Sequence, residues 1–357
     1  MLRFEKFAVT KNGRRIRRLG AFMKLTEAEI QILASIAVLK ADGRTTRQKD
    51  VEKRSEAYWT YKEDWSGAFD TLIAKGLIDT DEAGLILTEM GRPLAEKFHD
   101  ERPDLYWYQY QKFYIAAHAS DAHSELCKRV FGMDLCQDGQ TDMPSLMRLL
   151  ELLNLRPGDE VLDLGCGAGV IAEFVSDEIG AVVTGLDYSQ AAIDAANLRT
   201  LEKRNRISFT SGNFNDLNFP DKSFDAILSL DTLYWATDLK DVTARLISML
   251  KPQGRMGVFM NHHIGPTDPV ESLSMEHADL AIALNSLGQP YESFDFTNEI
   301  REFWIRNCAA AEDLLARYEN EGNGFIAEGL IRESRESYLP DVQAGRIARY
   351  LFVISRQ

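Results

Sequence analysis

The feature that most constrains this chain is the run Glu160-Val161-Leu162-Asp163-Leu164-Gly165-Cys166-Gly167-Ala168-Gly169. An apolar strand enters it, glycines crowd the turn, and a helical stretch from Val170 to Ile179 leaves it. Glycines at such a turn let the backbone approach a ligand at the carboxyl ends of strands. Three ligand classes fit: a nucleoside triphosphate, a dinucleotide, or a nucleoside-bearing methyl donor. A P-loop needs Gly-Lys-Ser/Thr after the loop, whereas Gly169 is followed by Val170 and Ile171. A dinucleotide fingerprint counted from Gly165 would need glycine at position 170, where valine stands. What remains is GxGxG, with Asp163 two places before it and Asp187 ending the next strand, 18 residues after Gly169. A carboxylate at the latter place can accept both hydroxyls of a ribose. Asp163, beside the loop, suits an ammonium group rather than a phosphate.

Around this motif the chain alternates apolar runs with helical stretches. Strands are predicted near 160–164, 181–186, 207–211, 224–230, 255–261 and 347–355, and a leucine-rich helix stops before Pro157-Gly158. Such alternation indicates a mainly parallel sheet with helices on both faces. A length of 357 residues gives a prior of two domains. With 45% apolar and 10% aromatic residues, the chain has enough to bury for a packed core, which excludes a mainly disordered chain.

Several motifs together resemble the class I S-adenosylmethionine-dependent methyltransferases. "VLDLGCGAG" is similar to their first motif and "GLDYS" to their second. "GNFNDLNFPDKSFDAILSLDTLYWATDL" resembles their third and fourth strands, and "MLKPQGRMGVF" the turn into the fifth. The match covers about 140–264 and returns in the terminal "RYLFVIS". The resemblance implies a Rossmann-like α/β fold of seven strands, the last antiparallel and inserted beside the fifth. It implies S-adenosylmethionine as cofactor, with Asp163, Gly165 and Gly167 along its methionine part. Asp187 would hold the ribose, and Tyr188 would pack on the adenine. Asn213 stands where the family commonly has an acid, Phe214 would offer its backbone N–H to the ring, and Leu230 would supply a carbonyl to the donor's amino group. Tyr188 and Phe214 could equally be core. Upstream, "CKRVFGMDLCQDGQ" is similar to the lead-in of small-molecule enzymes acting on phosphoethanolamine, glycine and sterols. Gln137 would there close over the donor, although the serine and paired glycines of that stretch are absent. Where the phosphoethanolamine enzymes carry a catalytic histidine after strand four, this chain has Trp235.

The first 100 residues read differently. Thr26 and Glu29 fit a capping box opening a helix that ends near Gly43, and a second helix runs from Trp65 to Gly76. Two short apolar runs then flank an Asp/Glu/Gly turn, a hairpin, and a helix follows from Glu89. "LIAKGLIDTDEAGLILTEMGRPLAEKF" resembles a smaller winged-helix-like α+β domain, which in this setting implies dimerisation or substrate covering. The alternative is a ligand-sensing DNA-binding regulator with a donor-fold sensor. Seven basic side chains within residues 1–20 and more within 44–54 favour that alternative; Glu63, Asp64 and Asp70 against Lys75 in the reading helix oppose it. The whole chain carries −14, which disfavours a nucleic-acid partner.

The expected organisation is therefore a winged-helix-like domain over 1–100, an aromatic helical linker and lid over 101–140, and a donor-binding domain over 141–357 with a cap insertion at about 265–323. Methyl transfer is an in-line displacement that needs alignment, water exclusion and a proton acceptor. Candidate catalytic residues are His262, His263, Tyr234 and His118, because imidazole titrates near neutrality; either of the first two could instead be a solvent-facing loop residue. Tyr114, His123, Asp231 and Trp235 are candidates for substrate binding, and aromatic rings there would suit a cationic amine or a planar ring. The acceptor is expected to be a small molecule methylated on nitrogen or oxygen, and no metal is called for. No apolar run is long enough for a membrane span. No secretory signal core is present, and four cysteines without CxxC spacing read as reduced thiols of a cytoplasmic protein.

Overall fold

The computed structural model describes residues 24–41, 45–56, 65–82, 84–101 and 106–356. Side chains of 106–109, including Tyr106, Trp107 and Tyr108, and the basic segment 1–20, Glu63 and Asp64 lie outside what it describes.

Four helices and a hairpin come first: α1 (Glu27–Ala41), α2 (Gln48–Glu56), α3 (Trp65–Ala74), β1 (Ile78–Asp81), β2 (Gly84–Leu87) and α4 (Gly91–Glu101). The capping box forms as the sequence dictates. The Thr26 N–H donates to Glu29 Oε2 at 2.7 Å, and the Glu29 N–H to Thr26 Oγ1 at 3.2 Å. Helix α1 buries Ile32, Leu33, Ile36 and Leu39, and α3 buries Phe69 and Leu72. Polar α2, whose charged sequence carries little helical signal, is an element that sequence reasoning did not anticipate.

Next come α5 (Tyr106–Ala117), α6 (Asp121–Phe131) and α7 (Met143–Leu153). The main sheet then alternates with helices: β3 (Glu160–Leu164), α8 (Val170–Ile179), β4 (Val182–Asp187), α9 (Gln190–Arg199), β5 (Ile207–Ser211), β6 (Phe224–Leu230), α10 (Leu239–Met249) and β7 (Leu250–His263). The chain closes with α11 (Asp279–Ser286), β8 (Tyr291–Asp295), α12 (Thr297–Asn320), α13 (Gly324–Glu333), α14 (Leu339–Gln343) and β9 (Ile347–Ser355).

The seven strands lie in the order β5-β4-β3-β6-β7-β9-β8. The first five run parallel, and β9 is antiparallel to both β7 and β8. This is the expected arrangement, with the last strand inserted beside the fifth. Alternate residues serve the two faces: Val161 joins the core with α7, α8 and α9, while Leu162 and Leu164 join that with α10 and α11. Strand order reverses at β3, so a crevice opens where β3 and β6 part at their carboxyl ends.

The cap departs from its expected bounds. Of 265–323, α11 is an ordinary sheet-covering helix packed beside α10, and 291–295 is the edge strand β8. Its polar Tyr-Glu-Ser-Phe-Asp sequence hid it, because a sheet edge with one solvated side needs no apolar run. The helices over the crevice are α12, α13 and α14, which lie between β8 and β9. Helix α12 packs on α6, so lid and cap meet. The Glu321 carboxylate accepts the Ser120 hydroxyl at 2.5 Å and the Ala122 N–H at 2.9 Å, covering the amino end of α6.

Candidate active site

The turn after β3 is built for close approach. Gly165, Gly167 and Gly169 have φ of +74°, +52° and +71°, which L side chains rarely adopt. A methyl group on Gly165 would meet Thr232 Oγ1 at 2.3 Å, and one on Gly167 would meet the Tyr114 hydroxyl at 2.2 Å. At the end of β3, Asp163 is buried and its Oδ2 has no hydrogen-bond partner. Burial, and then the nearby Asp187, push its carboxyl up to about 7. Asp187 is held differently: it accepts the Gly167 N–H at 2.9 Å and the Ser189 N–H at 2.8 Å, and burial raises it to about 6. Asp163 lines neither of the two cavities beyond the turn but lies two residues before Gly165, which lines the first, and a buried carboxylate with an oxygen unmet among the described residues favours a cation nearby.

From the glycine turn a cavity runs past Tyr188, Asn213, Phe214 and Leu230 to Trp235, with Tyr110, Tyr114 and Asp138 on its other side. The expected donor residues Gly165, Asp187, Tyr188, Asn213, Phe214 and Leu230 all line it, and the Gly167 loop abuts its Tyr114 wall. The Asn213 side-chain oxygen accepts the Asn215 N–H at 2.9 Å, which fixes the amide that stands for the usual acid. The Leu230 carbonyl accepts the Thr232 hydroxyl at 3.0 Å and keeps one lone pair for a further donor.

A second cavity of about 600 Å³ adjoins the first and shares Tyr110, Asp138, Asp231 and Trp235 with it. Its far wall is the cap, where Trp304 and Tyr338 stack with centroids 3.9 Å apart. His123 lines it from α6 and is bound by Tyr318 at 3.0 Å; burial lowers its pKa to about 4, so it is neutral.

The structure places five of the expected residues away from the positions their expected roles would need. Tyr114 lines the donor side rather than the acceptor side, because α5 lays it on the glycine turn. Gln137 does the reverse, lining the larger cavity and donating to the Thr141 carbonyl at 3.0 Å. His118 is exposed past the end of α5 and lines neither cavity. Strand parity separates the paired histidines: His262 lies on the α11 side and its Nε2 meets the Ser272 carbonyl at 2.7 Å. His263 stands on the cavity side, 3.8 Å from Asp341, its pKa lowered by partial desolvation. Tyr234 is committed, its hydroxyl accepting the Asn261 N–H at 2.6 Å and donating to Asp231 at 3.3 Å, with burial raising its pKa well above the ordinary value.

Asp231 lines both cavities, but its carboxylate is occupied by a residue that sequence reasoning missed. Arg349 of β9 donates to Asp231 Oδ1 at 2.5 Å and to Oδ2 at 2.9 Å, and lies over the Phe259 ring at 4.8 Å. Thr141 and the Gln140 N–H add hydrogen bonds to the same carboxylate, and Asn261 accepts from Arg349 at 3.0 Å. The φ of +56° at Asp231 is held by this network. Asp138 and Glu333 were also missed. Asp138 follows Gln137 directly, so its signal was present; Glu333 comes from the cap, where no local pattern marks it. Among the described residues no metal-ligating cluster occurs, and no helix is long and apolar enough to cross a membrane.

Residues 161–254 match the methyltransferase domain family. A sterol 24-C-methyltransferase of Gibberella zeae is 29% identical over 138 residues, 38% of this chain and 35% of that protein. Phosphoethanolamine N-methyltransferase 1 of Arabidopsis thaliana is 28% identical over 205 residues, 56% of this chain and 41% of that one. The matched parts thus span well under half of these relatives. The solved Haemonchus contortus phosphoethanolamine N-methyltransferase 2, in complex with phosphomonomethylethanolamine and S-adenosylhomocysteine, superposes with a TM-score of 0.53 at 18% identity, covering 69% of this chain and 60% of that one. The chain therefore has the class I methyltransferase fold, with its methyltransferase domain centred on the glycine turn.

Proposed function

We propose that this chain transfers the methyl group of S-adenosylmethionine to a nitrogen or oxygen of a small-molecule acceptor held under the cap. The observation that carries this reading is Asp163, a buried carboxylate with an unmet oxygen beside a glycine turn that opens on two joined cavities. Bound there, the donor supplies a methyl group activated by a sulfonium. Asp163 and the Leu230 carbonyl hold its ammonium group, Asp187 its ribose, and Tyr188, Asn213 and Phe214 its adenine. Trp235 and Tyr110, common to both cavities, keep the acceptor against the donor and exclude water. His263 lies on the acceptor side, beside Asp341.

The relatives' names bring a sterol and phosphoethanolamine as substrate classes, and Trp235 in place of a histidine argues for a different acceptor. The DNA-binding alternative loses ground on one contact: Lys75, the cation of 63–76, is held by Glu29 at 2.6 Å. We read residues 1–100 as a winged-helix-like cover or dimerisation module, which light scattering of the full chain and of a chain lacking them would test.

Calorimetry with S-adenosylhomocysteine tests the donor assignment. The wild type should bind it, and Asp187→Ala should lose most of that affinity while remaining folded, with a melting temperature lowered by the two backbone N–H groups it leaves unmet. Absence of binding to the wild type would end this reading.

A further inference from the structure

The larger cavity holds charges that the mechanism so far leaves unused. Asp138 lines both cavities, so it stands where the methyl group must cross; Glu333, from the end of α13, lines the acceptor side. Neither carboxylate has a hydrogen bond or ion pair among the described residues, and burial raises both, to about 7 and about 8. Glu336 and Asp341 add negative charge to the same wall, against Arg332, which draws Glu333 partly down, and His263 beside Asp341. Asp231 does not count, being neutralised by Arg349. Trp304 and Asn307 line the same wall, but the indole N–H and the amide nitrogen are themselves shielded from the cavity. Partnerless acids in a cavity call for a cation, which a hydrocarbon cannot supply.

We propose that the acceptor is a small polar amine, bound as its cation between Asp138 and Glu333, with Asp138 as the base. The inference rests on the donor assignment above. An N–H bond of the ammonium breaks, its electron pair stays on nitrogen and the proton passes to Asp138. The nitrogen lone pair then forms the C–N bond to the methyl group as the C–S bond breaks, its electron pair going to sulfur. The product is a methylated ammonium and a neutral thioether. The rings of Tyr110 and Trp235 face the cation during this exchange.

The test incubates the full chain with trideuteromethyl-labelled donor and, separately, a polar metabolite extract and a lipid extract, and locates label by mass spectrometry. Label on an amine nitrogen supports the proposal. Label on carbon or oxygen, or no labelled amine from either extract, overturns it. With the labelled amine in hand, Asp138→Asn should lower kcat about 100-fold, and Glu333→Gln should mainly raise the amine KM. Both variants should still bind S-adenosylhomocysteine and melt as the wild type does. Turnover at the wild-type rate in both would remove these residues from the mechanism. Calorimetry separates the two readings: failure to bind S-adenosylhomocysteine defeats the donor assignment, whereas binding without amine labelling defeats only the present inference.

Discussion

Asp163 shows what a single buried carboxylate does to a binding site. With its carboxyl pushed up to about 7, it is mostly neutral below that pH and ionised above it. An ammonium ligand binds the ionised form, so binding releases a proton at low pH. Affinity for S-adenosylhomocysteine should therefore rise about fivefold from pH 6 to 7 and flatten toward pH 8. Asp187, raised to about 6, steepens the low-pH limb, and Asp163→Asn should leave only that shallower slope. A flat wild-type profile by calorimetry would show that Asp163 does not meet the ammonium. Gly167 makes the complementary steric statement. Gly167→Ala forces a methyl group against the Tyr114 hydroxyl at a φ of +52°, and should abolish donor binding. Tyr114→Ala in the same chain should restore part of it. These residues were legible in the sequence because strand, turn and helix are contiguous. Their neighbour Thr232 was not, because it reaches the turn from a different segment.

At the level of elements, the lid and the cap depend on one another. Helix α6 begins under Glu321 of the α12 terminus, and His123 of α6 is bound by Tyr318 of α12. Glu321→Ala leaves two α6 donors unmet and should cost about 1–2 kcal/mol. It should lower the melting temperature and raise the acceptor KM more than the donor affinity falls. Equal losses on both would mean that the contact only holds the fold. That 101–140 is helical was readable, and the capping box of α1 was readable residue by residue. The cap was not: α11, β8 and α12 share one stretch of sequence, and only strand pairing tells a sheet edge from an insertion.

For the whole molecule, the buried pair Arg349–Asp231 ties the last strand to the turn after β6 and, through Thr141 and Gln140, to the lid. Arg349→Met strands a buried carboxylate and should cost about 3–5 kcal/mol, read as a fall in the urea midpoint; Arg349→Lys should recover part of it. An unchanged midpoint would mean that the pair does not hold the site together. Sequence by itself determined the donor half of this protein, since hydrophobic alternation, the glycine turn and the two following acids are local patterns with local consequences. It determined six of the seven strands of the main sheet for the same reason, β8 excepted. Tertiary structure alone decided the acceptor half. A cavity walled by α5, the 137–140 loop, the 231–235 turn, the end of β7 and the cap exists only as the space between distant segments. Which of two adjacent histidines faces that space depends on strand register, and which acids remain unpaired there depends on where the buried Arg349 falls.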